Sequence, residues 1–70
     1  MSGDHIELAG EVIDVARNGF KILIERSETT IFAKLSGRLR RNRIRILLGD
    51  QVKVRVSVHD LTHGQIIYRS

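Results

Sequence analysis

Thr30-Ile31-Phe32-Ala33-Lys34-Leu35 alternates between two faces, and Ser36-Gly37-Arg38-Leu39-Arg40-Arg41-Asn42-Arg43-Ile44, which follows directly, does not. Period two is the signature of a half-buried strand, with Ile31, Ala33 and Leu35 on one face and Phe32 and Lys34 on the other. The loss of alternation after Leu35 marks a change of structure. Ser36 is a favourable N-cap, so the arginine-rich stretch reads as a short helix with Leu39 turned to the core.

On the C-terminal side, Ile46-Leu47-Leu48 reads as a short apolar plug and Gly49-Asp50 as a turn. A fourth strand follows, with Val52, Val54, Val56 and Val58 inward and Lys53, Arg55, Ser57 and His59 outward. Asp60 to Gly64 reads as a loop, and Gln65 to Arg69 as a fifth strand.

On the N-terminal side, the second strand runs from Phe20 to Glu25 with Phe20, Ile22 and Ile24 inward. It is bounded by the Arg17-Asn18-Gly19 turn and the polar turn Arg26-Ser27-Glu28-Thr29. The first strand, His5 to Val15, places Ile6, Leu8, Gly10 and Val12 on one face, whereas Ile13 and Val15 take the opposite parity. A parity switch near a glycine predicts a bulge or sharp coil.

Three strands, a helical insert and two further strands predict an all-β fold: a five-stranded OB-fold Greek-key barrel with a short helix between strands 3 and 4. An SH3-like barrel is the runner-up, but it lacks a helical insert at that point. Barrel closure suits a chain of 70 residues without cysteine, because a core of this size supplies only about 3–5 kcal/mol of net stability. No apolar run approaches a membrane span, and no charged-then-apolar leader opens the sequence, so a cytoplasmic protein is expected.

Charge points to the partner. Residues 1–28 carry six acids and three bases, a net of −3, whereas residues 29–70 carry nine bases and two acids, a net of +7. Such asymmetry is the electrostatic footprint of a polyanion-binding face. Its densest part is Arg38, Arg40, Arg41, Arg43 and Arg45, five guanidiniums within eight residues and no acid between Glu28 and Asp50. A solvated, salt-bridged helix face would need interleaved acids. Guanidinium forks pair phosphate oxygens bidentately and stack on bases, so the segment reads as an RNA contact. Lys53 and Arg55, on the outer face of the fourth strand, either extend the basic track or keep the sheet soluble, and Arg69 either joins it or is an ordinary terminus. Self-repulsion is expected to leave Arg38–Arg45 mobile in the free protein.

Aromatic residues are few: Phe20 on the inward parity, Tyr68, and Phe32. Phe32 is the one candidate stacking platform, with packing beneath a loop as the competing reading. Poor stacking equipment with rich arginine favours a structured RNA over loose single strands. His5, His59 and His63 fit no zinc signature, and no nucleophile–base motif or phosphate loop occurs, so no metal, no cofactor and no catalysis are expected.

The run Ser36-Gly37-Arg38-Leu39-Arg40-Arg41-Asn42, with Ile44-Arg45-Ile46 and Gly49-Asp50-Gln51-Val52 after it, resembles bacterial translation initiation factor one. The likeness extends to Ile6-Glu7, Gly10 and Val12, and to Asp60-Leu61 through Gly64 to Ile66-Ile67-Tyr68-Arg69, and so covers nearly the whole chain. The resemblance implies residues 1–4 as a flexible N-terminus and residues 5–70 as a single, S1-like OB-fold RNA-binding domain. It implies a monomer that binds the 30S ribosomal subunit at the aminoacyl-tRNA site, in the 16S rRNA decoding region. A neighbouring small-subunit protein and the other initiation factors are further implied partners, and no membrane is. Such a factor blocks premature tRNA entry. By position, the implied rRNA contacts are Arg38, Arg40, Arg41 and Arg45, with Arg69 a lesser one, and Gly37 would permit close backbone approach. Arg43 stands where the family often has an aromatic residue, and Gln65 where a base is frequent. The rival functions are a cold-shock-like RNA chaperone and an adaptor for an acidic protein.

Overall fold

The computed structural model describes residues 4–70. Five strands, β1 (His5–Ala16), β2 (Gly19–Ile24), β3 (Thr30–Leu35), β4 (Gln51–Ser57) and β5 (Asp60–Arg69), and one helix, α1 (Gly37–Arg41), follow the order read from the sequence. The strands form a closed barrel in the order β1-β2-β3-β5-β4. All neighbours are antiparallel except β3 and β5, which run parallel. Residues 1–3, part of the N-terminus expected to be flexible, lie outside the described residues; the Asp4 carbonyl accepts a hydrogen bond from the Val58 N–H at 2.8 Å.

Closure depends on β1 serving two partners. Its first half pairs with β4, from His5 opposite Ser57 to Glu11 opposite Gln51. Its second half pairs with β2, from Gly10 opposite Ile24 to Ala16 opposite Gly19. Gly10 belongs to both ladders. A Cβ built there would lie 2.6 Å from a methyl of Ile22 and 2.7 Å from the Leu23 carbonyl oxygen, so only glycine lets the strands cross this closely. The register then slips between Val12 and Asp14. This is the expected bulge; past it Val15 stands opposite Phe20, although Ile13 and Val15 both remain exposed.

Val12, Ile22, Ile24, Ile31, Ala33, Val52, Val54, Val56 and Ile66 line the buried interior, and Leu39 of α1 and Ile46 join the same cluster. Phe20, expected inward, is half-buried against it, as are Leu8, Leu35 and Ile44.

Three expectations need correction. Val58 is 43% exposed, because β4 ends at Ser57 and Val58 opens a two-residue turn to Asp60, the residue paired with Ser57. Of Ile46-Leu47-Leu48 only Ile46 plugs the core, Leu47 and Leu48 being 54% and 63% exposed. Asp60 to Gly64 is strand rather than loop: Gly64 pairs with both Val56 and Ala33, and Leu61, Thr62 and His63 bulge out of the ladder with β4. The Asp60 carboxylate closes this bulge by accepting from the Thr62 N–H at 3.0 Å and the Thr62 hydroxyl. These two bonds, the hydroxyl first, hold the Asp60 carboxyl below the usual carboxylate range, and His63 adds a smaller push the same way.

Gly10→Ala is expected to lower stability by about 1–3 kcal/mol through overpacking. Urea unfolding would show a lower midpoint at unchanged slope, and an unshifted midpoint would refute the crowding argument.

Candidate nucleic-acid interface

The arginine segment is mounted on the barrel by α1 and its two ends. Ser36 caps the helix, its hydroxyl accepting from the Leu39 N–H at a long 3.4 Å. At the other end the Ile44 N–H reaches the Leu39 carbonyl at 3.0 Å and the Arg43 N–H reaches the Arg40 carbonyl at 3.2 Å. This is the Schellman pattern, in which the residue after the C-cap takes the left-handed conformation and an apolar contact joins the flanking residues. Arg43 is that residue, with φ 56°, and buried Leu39 with half-buried Ile44 supply the apolar pair.

Leu39 points inward, so the arginines on either side diverge. Residues two apart on a helix lie about 200° apart around its axis, and Arg38 and Arg40 face different depressions. Arg38 lines a groove of about 540 Å³ across the outer faces of β1, β4 and β5, together with Lys53, Arg55, Glu7 and Tyr68. Arg40 lines a cleft of about 290 Å³ with Arg17 of the β1–β2 turn and Lys34 of β3. Arg41 folds back, its Nη1 lying 3.4 Å from where a Gly37 Cβ would sit.

Arg38, Arg40, Arg41, Arg43 and Arg45 are all exposed, and none forms an ion pair among the described residues. The nearest acid in sequence, Asp50, is otherwise occupied: its Oδ2 accepts the Leu47 N–H at 2.9 Å. The salt-bridged helix face is therefore not what this segment forms. Arg55 does share its charge, lying 3.8 Å from Glu7 directly across the ladder. An exposed pair of this kind is worth about 0–1 kcal/mol, so a phosphate could displace Glu7 at little cost.

Arg69 is engaged within the fold, its Nη1 donating to the Arg45 carbonyl at 2.6 Å. Phe32 is half-buried, its ring lying over Gly19, where a Cβ would collide with it, and standing edge-on to His63 at 6.4 Å and 71°. His63 Nδ1 lies 3.2 Å from Asp60, and His59 Nε2 lies 4.0 Å from Asp4. Among the described residues no group of three His, Cys, Asp or Glu side chains is placed to hold a metal, and no helix is long and apolar enough to cross a membrane.

A basic face on a closed five-stranded barrel invites comparison with known proteins. No protein-family model matches the chain. It is 45% identical over 67 residues to "Translation initiation factor IF-1" of Rickettsia felis, an alignment covering 94% of this chain and 93% of that protein. The chain belongs to the translation initiation factor IF-1 family. The solution structure of the IF-1 protein from the Wolbachia endosymbiont of Brugia malayi is similar throughout, with a TM-score of 0.80, 33% identity, and 99% of this chain and 82% of that one covered. The fold also resembles part of YjeQ from Thermotoga maritima, with a TM-score of 0.76 and 26% identity, over 93% of this chain and 23% of that one. IF-1 membership makes this an RNA-binding OB-fold of the translation machinery and bears out the resemblance carried by Ser36–Asn42 and Gly49-Asp50.

The IF-1 barrel also brings in side chains that the sequence reading passed over. Tyr68 is 60% exposed beside Arg38 and Lys53 in the groove, and Lys53 is its partner in the ladder. A second register slip, between Lys53 and Val54, turns Tyr68 outward, and simple alternation does not reveal it. Arg17 and Lys34 join Arg40, and only the outward parity of Lys34 on β3 signalled this. Gln65 lies between Lys34 and Arg55 across the sheet, so it separates two cations that a third would crowd.

An L-residue at positive φ costs about 1–2 kcal/mol, against which glycine's greater freedom in the unfolded chain must be set. Arg43→Gly is therefore expected to stabilise the free protein by about 0.5–1 kcal/mol in urea unfolding. A lower midpoint would mean that the arginine side chain itself supports the loop.

Proposed function

We propose that this protein binds the 30S ribosomal subunit at the aminoacyl-tRNA site through the 16S rRNA decoding region, blocks premature tRNA entry and supports assembly of the initiation complex with the other initiation factors. The observation that carries this reading is the arginine segment: five exposed guanidiniums with no ion-pair partner among the described residues, mounted on a barrel of the IF-1 family.

Arg38, Arg40, Arg41, Arg43 and Arg45 contact phosphates, and Lys53 and Arg55 extend the track along the groove. Gly37 lets the backbone approach the RNA closely, and Phe32 offers at most a ring edge to a base. The barrel fixes these groups relative to one another, so the RNA is recognised by shape and charge, as a folded helix requires. Affinity comes from the release of counterions condensed on the phosphates. A neighbouring small-subunit protein completes the site. The factor acts as a cytoplasmic monomer over a single domain at 5–70, without a cofactor or a catalytic step. A cold-shock-type chaperone would present several open aromatic platforms, whereas here Tyr68 is exposed and Phe32 is half-covered.

Chemical footprinting of small subunits is expected to show protection confined to the decoding region, and protection elsewhere or none would refute the assignment. With about four phosphates engaged, log K should fall against log salt with a slope of about −3. Replacing Arg40 and Arg41 together by Ala should cut subunit affinity by about two orders of magnitude, at about 1–2 kcal/mol per lost contact, with little change in the urea midpoint. Retained affinity would remove the arginines from the interface.

Gly37→Ala separates fold from contact. The added methyl meets only the end of the Arg41 side chain, so stability should hold or rise slightly while subunit affinity falls. Unchanged affinity would show that no backbone approach occurs there.

A further inference from the structure

We infer that Arg69 is a positioning residue for the interface: its guanidinium holds the Arg45 peptide, and through it the Arg45 side chain, in the orientation that meets phosphate. This rests on the role proposed above for the arginine segment.

The segment between α1 and β4 lies outside every strand ladder, and mutual repulsion among its cations pushes it toward disorder. Discrete ties oppose that. Ile44 is fixed by the helix C-cap bond, and Ile46 is buried. The Leu47 N–H is held by the Asp50 carboxylate, and the Gly49 N–H donates to the Val12 carbonyl at 2.8 Å. Arg45 sits between these points with its side chain exposed, and its carbonyl is gripped by Arg69 at 2.6 Å. A guanidinium donor at that distance makes a strong, charge-assisted bond. With Ile46 anchored in the core and the Arg45 carbonyl fixed, the peptide plane joining them has little freedom, and the Cα–Cβ direction of Arg45 follows.

The anchor is itself firm. Arg69 stands opposite Val52 in the β4–β5 ladder. Its neighbour Ser70 is tied to the Gln51 carbonyl by both its N–H and its hydroxyl, each at 3.0 Å. A guanidinium committed in this way supports an RNA contact made by another residue.

A double-mutant cycle decides between support and direct contact. Arg69→Met keeps the apolar stem and removes the donors. Affinity for purified small subunits would be measured at several salt concentrations for the wild type, Arg45→Ala, Arg69→Met and the double variant. Positioning predicts that Arg69→Met weakens binding about three- to tenfold, and that it costs nothing further once Arg45 is alanine. In the Arg45→Ala background it would also leave the salt slope unchanged. Losses that multiply, with the slope falling by a further 0.7–0.9 or so, would make Arg69 a direct phosphate contact and overturn the inference.

A second readout needs no ribosome. Amide hydrogen exchange in the free protein at Leu47 and Gly49 should quicken in Arg69→Met, and Arg69→Lys, which retains a donor, should restore it. Unchanged exchange in Arg69→Met overturns the pin. Failure of the wild type to bind small subunits would instead refute the proposed function, with the exchange result still deciding whether Arg69 holds the loop.

Discussion

The fold hangs on a close approach of backbones at Gly10. There β1 enters the β2 ladder while still paired with β4 as far as Glu11, and the absence of a side chain lets the sheet bend enough to close. The bulge two residues later completes the turn of the strand. Once the barrel is closed, its interior is filled by inward positions of all five strands, and no open edge invites pairing with another chain. What remains is one irregular crossing from β3 to β4, carrying α1 and the arginines. The charged segment can therefore repel itself locally without threatening the barrel, because its contribution to the core is confined to Leu39, Ile46 and part of Ile44.

Legibility in the sequence tracked regularity. The alternation of Val52, Val54 and Val56, the Asn-Gly turn and the parity switch after Val12 all report local geometry, and all appear where the residues place them. Alternation misleads where a strand ends without a change of composition. Val58 continues the valine pattern but lies in a turn, because backbone pairing and not hydrophobicity terminates β4. Asp60 to Gly64 looks like a loop for the opposite reason: its polar residues bulge away from β4 while the strand keeps its parallel pairing with β3.

At the interface, the arginines are legible as a cluster, and the family resemblance is carried by them together with Ser36-Gly37, Ile44-Arg45-Ile46 and Gly49-Asp50. Their surroundings are not legible. The groove beside Arg38 gathers Lys53, Arg55 and Tyr68 from two strands, and Tyr68 faces outward only because the ladder slips next to it. The bond from Arg69 to the Arg45 carbonyl joins residues 24 apart in sequence. No periodicity announces such a pairing, since it depends on where a loop backbone happens to pass the end of a strand. The left-handed Arg43 is similar: it follows the C-cap Asn42, and charge occupies the position that glycine would fill with less strain.

The place of β5 in the barrel ties closure to the interface. This strand follows the other four in chain order, yet it is inserted between β3 and β4 and supplies the barrel's parallel pairing. Before it is in place, β3 and β4 have no common neighbour, and α1 hangs from two strands that do not touch. β5 reaches β4 through a short turn, whereas its parallel pairing with β3 and the β1–β4 pairing join residues far apart in sequence, so closing the barrel carries a loop-closure entropy cost that only the completed core offsets. The fixed spacing of charges that recognises a folded RNA therefore exists only in the closed barrel, where β5 joins the two strands from which α1 is hung.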